Sequence, residues 1–323
     1  MKKIFTVLAL LFSVVIFAQQ TADTIKPWKV TGLGSLSITQ ASFTNWSAGG
    51  ENSVAGLALI KLYADYSKGN FSNNNSLTLK YGIQQNESYN QPRKNEDLID
   101  FNSQVNHKIS KSWRLSALVN FNTQFTNGFN YPNDSLVISR FMAPGFLTIS
   151  PGMLYKPSDY FSILLTPVTM KGIFVLDQDL ADLGAFGVDK ADTTSDGKMI
   201  AGTGKTSKIK MGAFAEIYFK KTFKETFAFE SKLNVFYNYL NDNNIPKGVA
   251  PIDFNWQNFF IYRISKWFST TLFVHFAHMP GDVFISRSGI DGEIKTKPND
   301  KLQIKQTFGI GLAYTLKDLK KKR

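Results

Sequence analysis

Along most of the chain, apolar and polar residues alternate with a period of two, as in a strand with one apolar and one polar face, and not with the 3.6 of a helix. In "NSLTLKYGIQQ", Leu77, Leu79, Tyr81 and Ile83 share one face; Ser76, Thr78, Lys80, Gly82 and Gln84 share the other. "WRLSALVNFNTQF" sets Trp113, Leu115, Ala117, Val119, Phe121 and Phe125 against Arg114, Ser116, Leu118, Asn120, Asn122 and Gln124. "KMGAFAEIYFK" and "LQIKQTFGIGLAYTL" repeat the pattern, with Met211, Ala213, Ala215 and Ile217, and Phe308, Ile310, Leu312 and Tyr314, on the apolar sides. Twelve such segments begin near residues 29, 53, 73, 96, 113, 146, 160, 208, 226, 252, 268 and 302. Most reach the roughly 9–11 residues that a tilted membrane-crossing strand needs. "FLTISPGMLYK" and "YFSILLTPVTMKGIFV" alternate less cleanly, and Pro151 and Pro167 within them predict bulges or local kinks.

The connections sort by parity. "SKGNFSN", "ISKS", "KPSDY", "KTFKET" and "ISKW" are short, whereas the turns between them are long, such as "VLDQDLADLGAFGVDKADTTSDGKMIAGTGKTS". Short loops on one rim and long loops on the other are the rule for outer-membrane barrels, and a soluble sandwich has no reason to sort its loops this way. The predicted fold is therefore all-β: a transmembrane antiparallel up-and-down barrel of about 12 strands, with short periplasmic turns and long extracellular loops. Trp28, Trp113 and Trp267 fall at periplasmic strand ends, and Trp46 and Trp256 near the opposite rim, as interface girdles require.

The start "MKKIFTVLALLFSVVIFAQQ" has the basic, apolar and small-residue regions of a secretory signal, and its apolar run is too short to span comfortably as an anchor. The expected division is a signal peptide over 1–18, a periplasmic segment over 19–27, a barrel over 28–317 and a basic periplasmic tail over 318–323. The formal charge of +12 would fall to about +10 without the two leader lysines, which suits acidic lipid or lipopolysaccharide as a partner. No nucleic-acid module has its fingerprint here, and nucleic acid is not an expected partner. With no cysteine, the exported chain needs a large core or a closed hydrogen-bonded barrel to hold it.

The inward registers carry charge of both signs, with cations in excess: Lys61, Asp65, Lys80, Asp100, Lys108, Arg114, Lys210, Glu216, Lys220, Glu230, Lys232, Asp253, Arg263 and Lys305. Such a set forms either a salt-bridged plug, since unpaired buried charge is expensive, or a pore with mild anion preference. The acids Asp177, Asp179, Asp182, Asp189, Asp192 and Asp196 match no Ca²⁺-loop spacing and read as solvated loop charge. Three histidines are too few for most metal sites, and His275 and His278 point to opposite faces of one strand. An outer-membrane phospholipase would need a lipid-facing Ser–His pair, but Ser103 and His107 lie about 13 Å apart along one strand. "AGTGKTSKIK" lacks the first glycine of a phosphate-binding loop and leads into a strand, so it reads as a polar loop. "NWSAGGENS" reads as a fixed turn at the outer rim. No cofactor or metal is expected.

"LSITQASFTNWSAGGENSVAGLA", "LKYGIQ", "RKNEDLIDFNSQVNHKISKSWRLSALVNFNTQF", "FMAPGFLTISPGMLYKPSDYFSILLTPVTMKGIFVLDQDLADLGAFGVD" and "SKLNVFYNY" resemble an uncharacterised family of Bacteroidota outer-membrane barrels catalogued as a domain of unknown function. The resemblance implies an integral outer-membrane barrel and no defined activity. Relatives often carry an acidic cluster where this chain reads "FVHFAHMPGDVF" with Asp282 alone, so a cation site there does not carry over. The functional expectation is a non-enzymatic accessory or structural subunit of an outer-membrane assembly for secretion, protein insertion or uptake, with protein partners. The alternative is a narrow pore for small, preferably anionic solutes, and an outer-membrane phospholipase is the remote one.

Overall fold

A computed structural model describes residues 27–41, 53–86, 91–131, 135–224, 226–240, 242–265, 267–281, 283–287, 294–298 and 301–316. Its wall comprises β1 (Trp28–Ala41), β2 (Ser53–Lys68), β3 (Phe71–Asn86), β4 (Arg93–Lys108), β5 (Trp113–Thr123), β8 (Gly145–Ser158), β9 (Phe161–Phe174), β10 (Ser207–Phe223), β11 (Phe227–Asn238), β12 (Ile252–Arg263), β13 (Phe268–His278) and β16 (Gln303–Leu316). Each pairs antiparallel with its chain neighbour in the wall, and β1 pairs β16 to close the barrel. Closure leaves no unpaired sheet edge, which is how a chain without disulfides satisfies its backbone. The twelve predicted segments are these twelve strands, each beginning within three residues of its expected start. Two short hairpins escape the period-two reading: β6 (Gly128–Phe129) with β7 (Val137–Ser139), and β14 (Val283–Arg287) with β15 (Ile294–Pro298). Both sit in long connections, with strands too short to show alternation.

Side chains divide by parity as the pleat demands. Outward positions expose apolar groups, among them Leu36, Ile38, Leu115, Ile304, Phe308 and Leu312, the last 63% accessible. Inward positions carry lysines, carboxylates and amides. The rim with the short turns is ringed by aromatic pairs: Trp28–Tyr66 with centroids 5.2 Å apart, Trp113–Tyr155 at 4.9 Å and Phe223–Phe227 at 5.9 Å.

A bulge occurs at Pro167, as predicted, and none at Pro151. Gly212 and Phe214 of β10 face Thr169 and Thr166 of β9, so β9 carries one extra residue around Pro167. The β8–β9 register shifts between Ile149 and Met153 for the same reason, five β9 steps facing four on β8, while β8 keeps register with β5 across Pro151. The tyrosine hydroxyl of Tyr239 donates to the freed Pro167 carbonyl at 2.9 Å. A bulge reverses parity along its strand. Thus Leu164 and Thr166 are buried on one side of Pro167, and Thr169 and Ile173 on the other.

Candidate functional site

Inside the wall is a cavity of about 670 Å³. Lys61, Lys80, Asp100, Lys210, Glu216, Glu230, Lys232, Asp253 and Lys305 line it, as their parity predicts. Lys220 points the same way and meets Glu230 at 3.2 Å. Arg114 and Arg263 hold inward registers at the short-turn ends of β5 and β12, away from the cavity lining. Trp28, Trp113 and Trp267 stand exposed at the short-turn rim. Trp256 lies seven residues above the lower end of β12, about 16–19 Å up the axis at ordinary strand rise and tilt. Trp46, Asp282 and the "NWSAGGENS" turn up to, but not including, its last residue, Ser53, lie outside the described residues, as do the proposed leader and tail.

The lumen charges are organised as pairs. Lys305 meets Glu96 at 2.6 Å, Lys171 meets Asp253 at 2.9 Å and Lys232 meets Glu216 at 3.0 Å. Asp100 accepts from Asn120 at 2.6 Å and from Asn102 at 3.0 Å. Among the described residues, six lysines and seven carboxylates line the cavity, so the cation excess read from the sequence is absent from that lining. The reading missed Glu96, Asp97 and Lys171. Glu96 shares the parity of Asp100 and sits where the segment was taken to begin, so the signal existed. Lys171 lies beyond the Pro167 bulge, where inward positions change from even to odd and simple alternation fails.

Residues 175–206, between β9 and β10, form a folded cap. It contains α1 (Gln178–Asp182) and a 3-10 turn over Ala185–Gly187. Val175, Leu180, Ala181, Ala185 and Val188 are buried together with Ala143 and Ile173, and Leu136, Ile138 and Phe146 pack against them. Neighbouring connections hold the cap. Arg140 meets Asp177 at 2.9 Å, Asn244 donates to the Gly187 carbonyl at 2.7 Å, and β14 passes beside the 3-10 turn. Phe186 lines the cavity from above with φ at 56°, a left-handed conformation costing a bulky residue of order 1–3 kcal/mol.

Its acids are anchors, which corrects part of the solvated-loop reading. Asp177 caps α1 by accepting from the Leu180 N–H at 2.9 Å. The buried Asp182 carboxylate accepts from the Gly202 N–H at 2.7 Å, the Gly204 N–H at 2.9 Å and Gln178 Nε2 at 2.8 Å. "AGTGKTS" thus wraps backbone N–H groups around an anion after all, but the anion is the chain's own carboxylate. A Cβ on Gly204 would lie 2.6 Å from the Asp182 Cα, so glycine is required there by close approach. The Gly202 hydrogen bond, then that from Gln178, hold the Asp182 carboxyl below the usual carboxylate range. Asp242, in the next outer connection, meets Lys208 at 2.8 Å and Lys210 at 3.2 Å. Burial would raise its pKa, but these lysines outweigh burial and lower it. Asp179, Asp192 and Asp196 do face solvent, and Asp189, also exposed, meets Lys208 at 3.1 Å. Among the described residues, no group of three or more His, Cys, Asp or Glu is placed to hold a metal ion.

Residues 38–129 match the family described as "Protein of unknown function (DUF3078)". None of the curated proteins matches the sequence. The chain resembles the COG4313 outer membrane channel from Pseudomonas putida F1, at 9% identity and a TM-score of 0.38, over 93% of this chain and 98% of that one. It also resembles the NanC porin, at 8% identity and 0.37, over 90% of this chain and 100% of that one. A FadL homologue from Pseudomonas aeruginosa shows 10% identity and 0.31, over 90% and 89%.

Proposed function

We propose that this chain is an integral outer-membrane barrel, non-enzymatic, that admits small polar solutes to a lumen held closed at its outer mouth by residues 175–206. The shortest wall strands, β5 and β13, have 11 residues each. At ordinary rise and tilt they stand about 26–30 Å along the axis, enough to span the roughly 25 Å apolar band of an outer-membrane barrel. The outward face is the apolar surface such a band needs, with lipid and lipopolysaccharide as its partners. A polar cluster in that face closes on itself: Trp256 Nε1 donates to Ser231 Oγ at 2.9 Å, and Ser231 donates to Asn258 at 2.8 Å.

The carrying observation is the cap. A loop offered to a protein partner would present its apolar residues outward. Here Val175, Leu180 and Val188 are buried against Ala143 and Ile173, Phe186 lines the cavity, and only Leu176, Met199 and Ile200 among the large apolar residues of the described cap are exposed. This favours an occluded passage over an accessory subunit. In planar bilayers the intact chain should show few and brief conductance steps, and a variant with residues 179–203 replaced by a short Gly-Ser linker should conduct steadily. Equal steady conductance from both would remove the cap from the mechanism. Silence from both would return the subunit reading.

A further inference from the structure

Donors and acceptors in the lumen do not balance locally, although the charges nearly do. Most lining carboxylates meet a lysine, and Asp100 and Asp65 accept from side-chain amides, Asp65 from Asn74 at 2.8 Å. Lys61 and Lys80 stand apart. Among the described residues, neither ammonium has a hydrogen bond or ion pair with a carboxylate. Lys61 Nζ rests 4.6 Å from the centre of the Phe259 ring, and Lys80 Nζ 4.6 Å from Phe273 and 5.4 Å from Phe259. The two rings lie against each other, with centroids 4.5 Å apart. Both ammoniums therefore sit over one aromatic platform on the cavity wall, within reach of one small ligand. An ammonium has three N–H donors and no acceptor. A ring face satisfies it more weakly than a charge-assisted hydrogen bond to an oxyanion.

We propose that Lys61 and Lys80 form an oxyanion-binding subsite in the lumen, taking small solutes that carry a carboxylate or phosphate. The ammoniums park on Phe259 and Phe273 and leave the rings for the anion. A cavity of about 670 Å³ suits a ligand of that size. The inference rests on the reading of the lumen as a solute compartment, but it concerns binding, not passage. Its selectivity is local, because the lining as a whole is close to neutral.

The test is calorimetric titration of the full chain, folded in detergent, with succinate and separately with inorganic phosphate, at ionic strength fixed by chloride. Saturable binding of at least one is expected; succinate alone would identify a carboxylate site, phosphate alone a phosphate site. The Lys61→Met/Lys80→Met variant should bind at least tenfold more weakly, and Lys80→Arg should retain binding. Lys221→Met is the control, because Lys221 rests on Tyr160 at 4.7 Å on the outward face, and its binding should be unchanged. Heat-modifiable gel mobility reports whether each variant is folded. If the double variant fails to fold, Lys61→Met alone is compared with Lys221→Met. Absence of saturable binding to the intact chain, or undiminished binding by the folded Lys61→Met/Lys80→Met variant (or by Lys61→Met where that is the one compared), would overturn the proposal. Silent bilayers with intact binding would instead overturn only the passage reading.

Discussion

In the wall, each strand pairs along its length with two neighbours, and the β1–β16 ladder removes the last edge. In the cap, α1 has five residues and is held by a buried apolar cluster, one capping carboxylate and the Asp182 knot. The wall's order is repetitive and spread over the molecule. The cap's order is local, so a single contact is a large share of what keeps it in place. Segments with few buried contacts open at lower free energy than core ladders, and elements that move in function come from that low end. A stiff barrel with a weakly held lid is the arrangement an occluded passage requires.

The largest expected effect strikes the wall through its parity. Leu79→Arg and Val119→Arg would place a charge against hydrocarbon, at a cost of roughly 2–4 kcal/mol near the midplane. Thr78→Arg and Asn120→Arg would place the same charge in the lumen, where Asp100 lies within reach, and should cost much less. Heat-modifiable mobility reads the difference. Equal loss from both sets would mean that the outer face meets no membrane, and the comparison of wall with cap would lose its basis.

A smaller effect, confined to the cap, is expected from Asp182→Asn. The amide has one acceptor oxygen where the carboxylate offers two, so the N–H groups of Gly202 and Gly204 and the Gln178 amide can no longer all be satisfied. Gly204→Ala should act alike, because its Cβ would meet Asp182 and Ala181 backbone. Both variants should show steadier conductance and faster proteolysis within 190–205, with unchanged heat-modifiable mobility. Loss of the folded barrel in either would show that cap and wall fold as one unit.

The contrast also explains what the sequence made legible. Period-two alternation marks each of the twelve wall strands, because every residue pair repeats the same choice between lumen and lipid. Proline marked the β9 bulge but not its consequence, so Lys171 went unread while Lys210, its cross-strand partner, was found. The cap had no comparable period. Leu180, Ala185 and Val188 are spaced irregularly, and their common burial depends on Ala143 and Ile173 from other parts of the chain. The acids looked like solvated charge because nothing local shows that Asp182 will meet Gly202 and Gly204, twenty residues on. The aromatic platform beneath Lys61 and Lys80 is equally non-local, since β12 and β13 supply its rings and β2 and β3 its lysines.

The smallest effect is a pH dependence that belongs to the carboxylates of the cap and of the connection after β11. Asp182 and Asp242 are both held below the usual carboxylate value in the folded state, Asp182 by the Gly202 N–H and Gln178, Asp242 by Lys208 and Lys210 against the effect of burial. With the cap undone, Asp182 would return toward its ordinary value of 3.8, and Asp242 would do so once its connection leaves Lys208 and Lys210. A group with a depressed folded pKa binds protons more readily when unfolded. Its contribution is therefore complete above the ordinary value and is lost as pH falls from there through the folded value. The cap should hold at pH 7 and loosen below about pH 4, in the range where free carboxylates begin to protonate. Amide hydrogen exchange at Gly202 and Gly204, corrected for the intrinsic pH dependence of exchange, measures this directly, and amides in the β2–β3 ladder serve as the wall's reference. Protection at the two glycines should fall on acidification while the ladder amides hold. In Asp182→Asn, protection should start low and lose most of its pH dependence. A flat profile at Gly202 and Gly204 from pH 7 to pH 3 would mean that the apolar cluster alone keeps the mouth closed, with the Asp182 knot contributing shape and no strength.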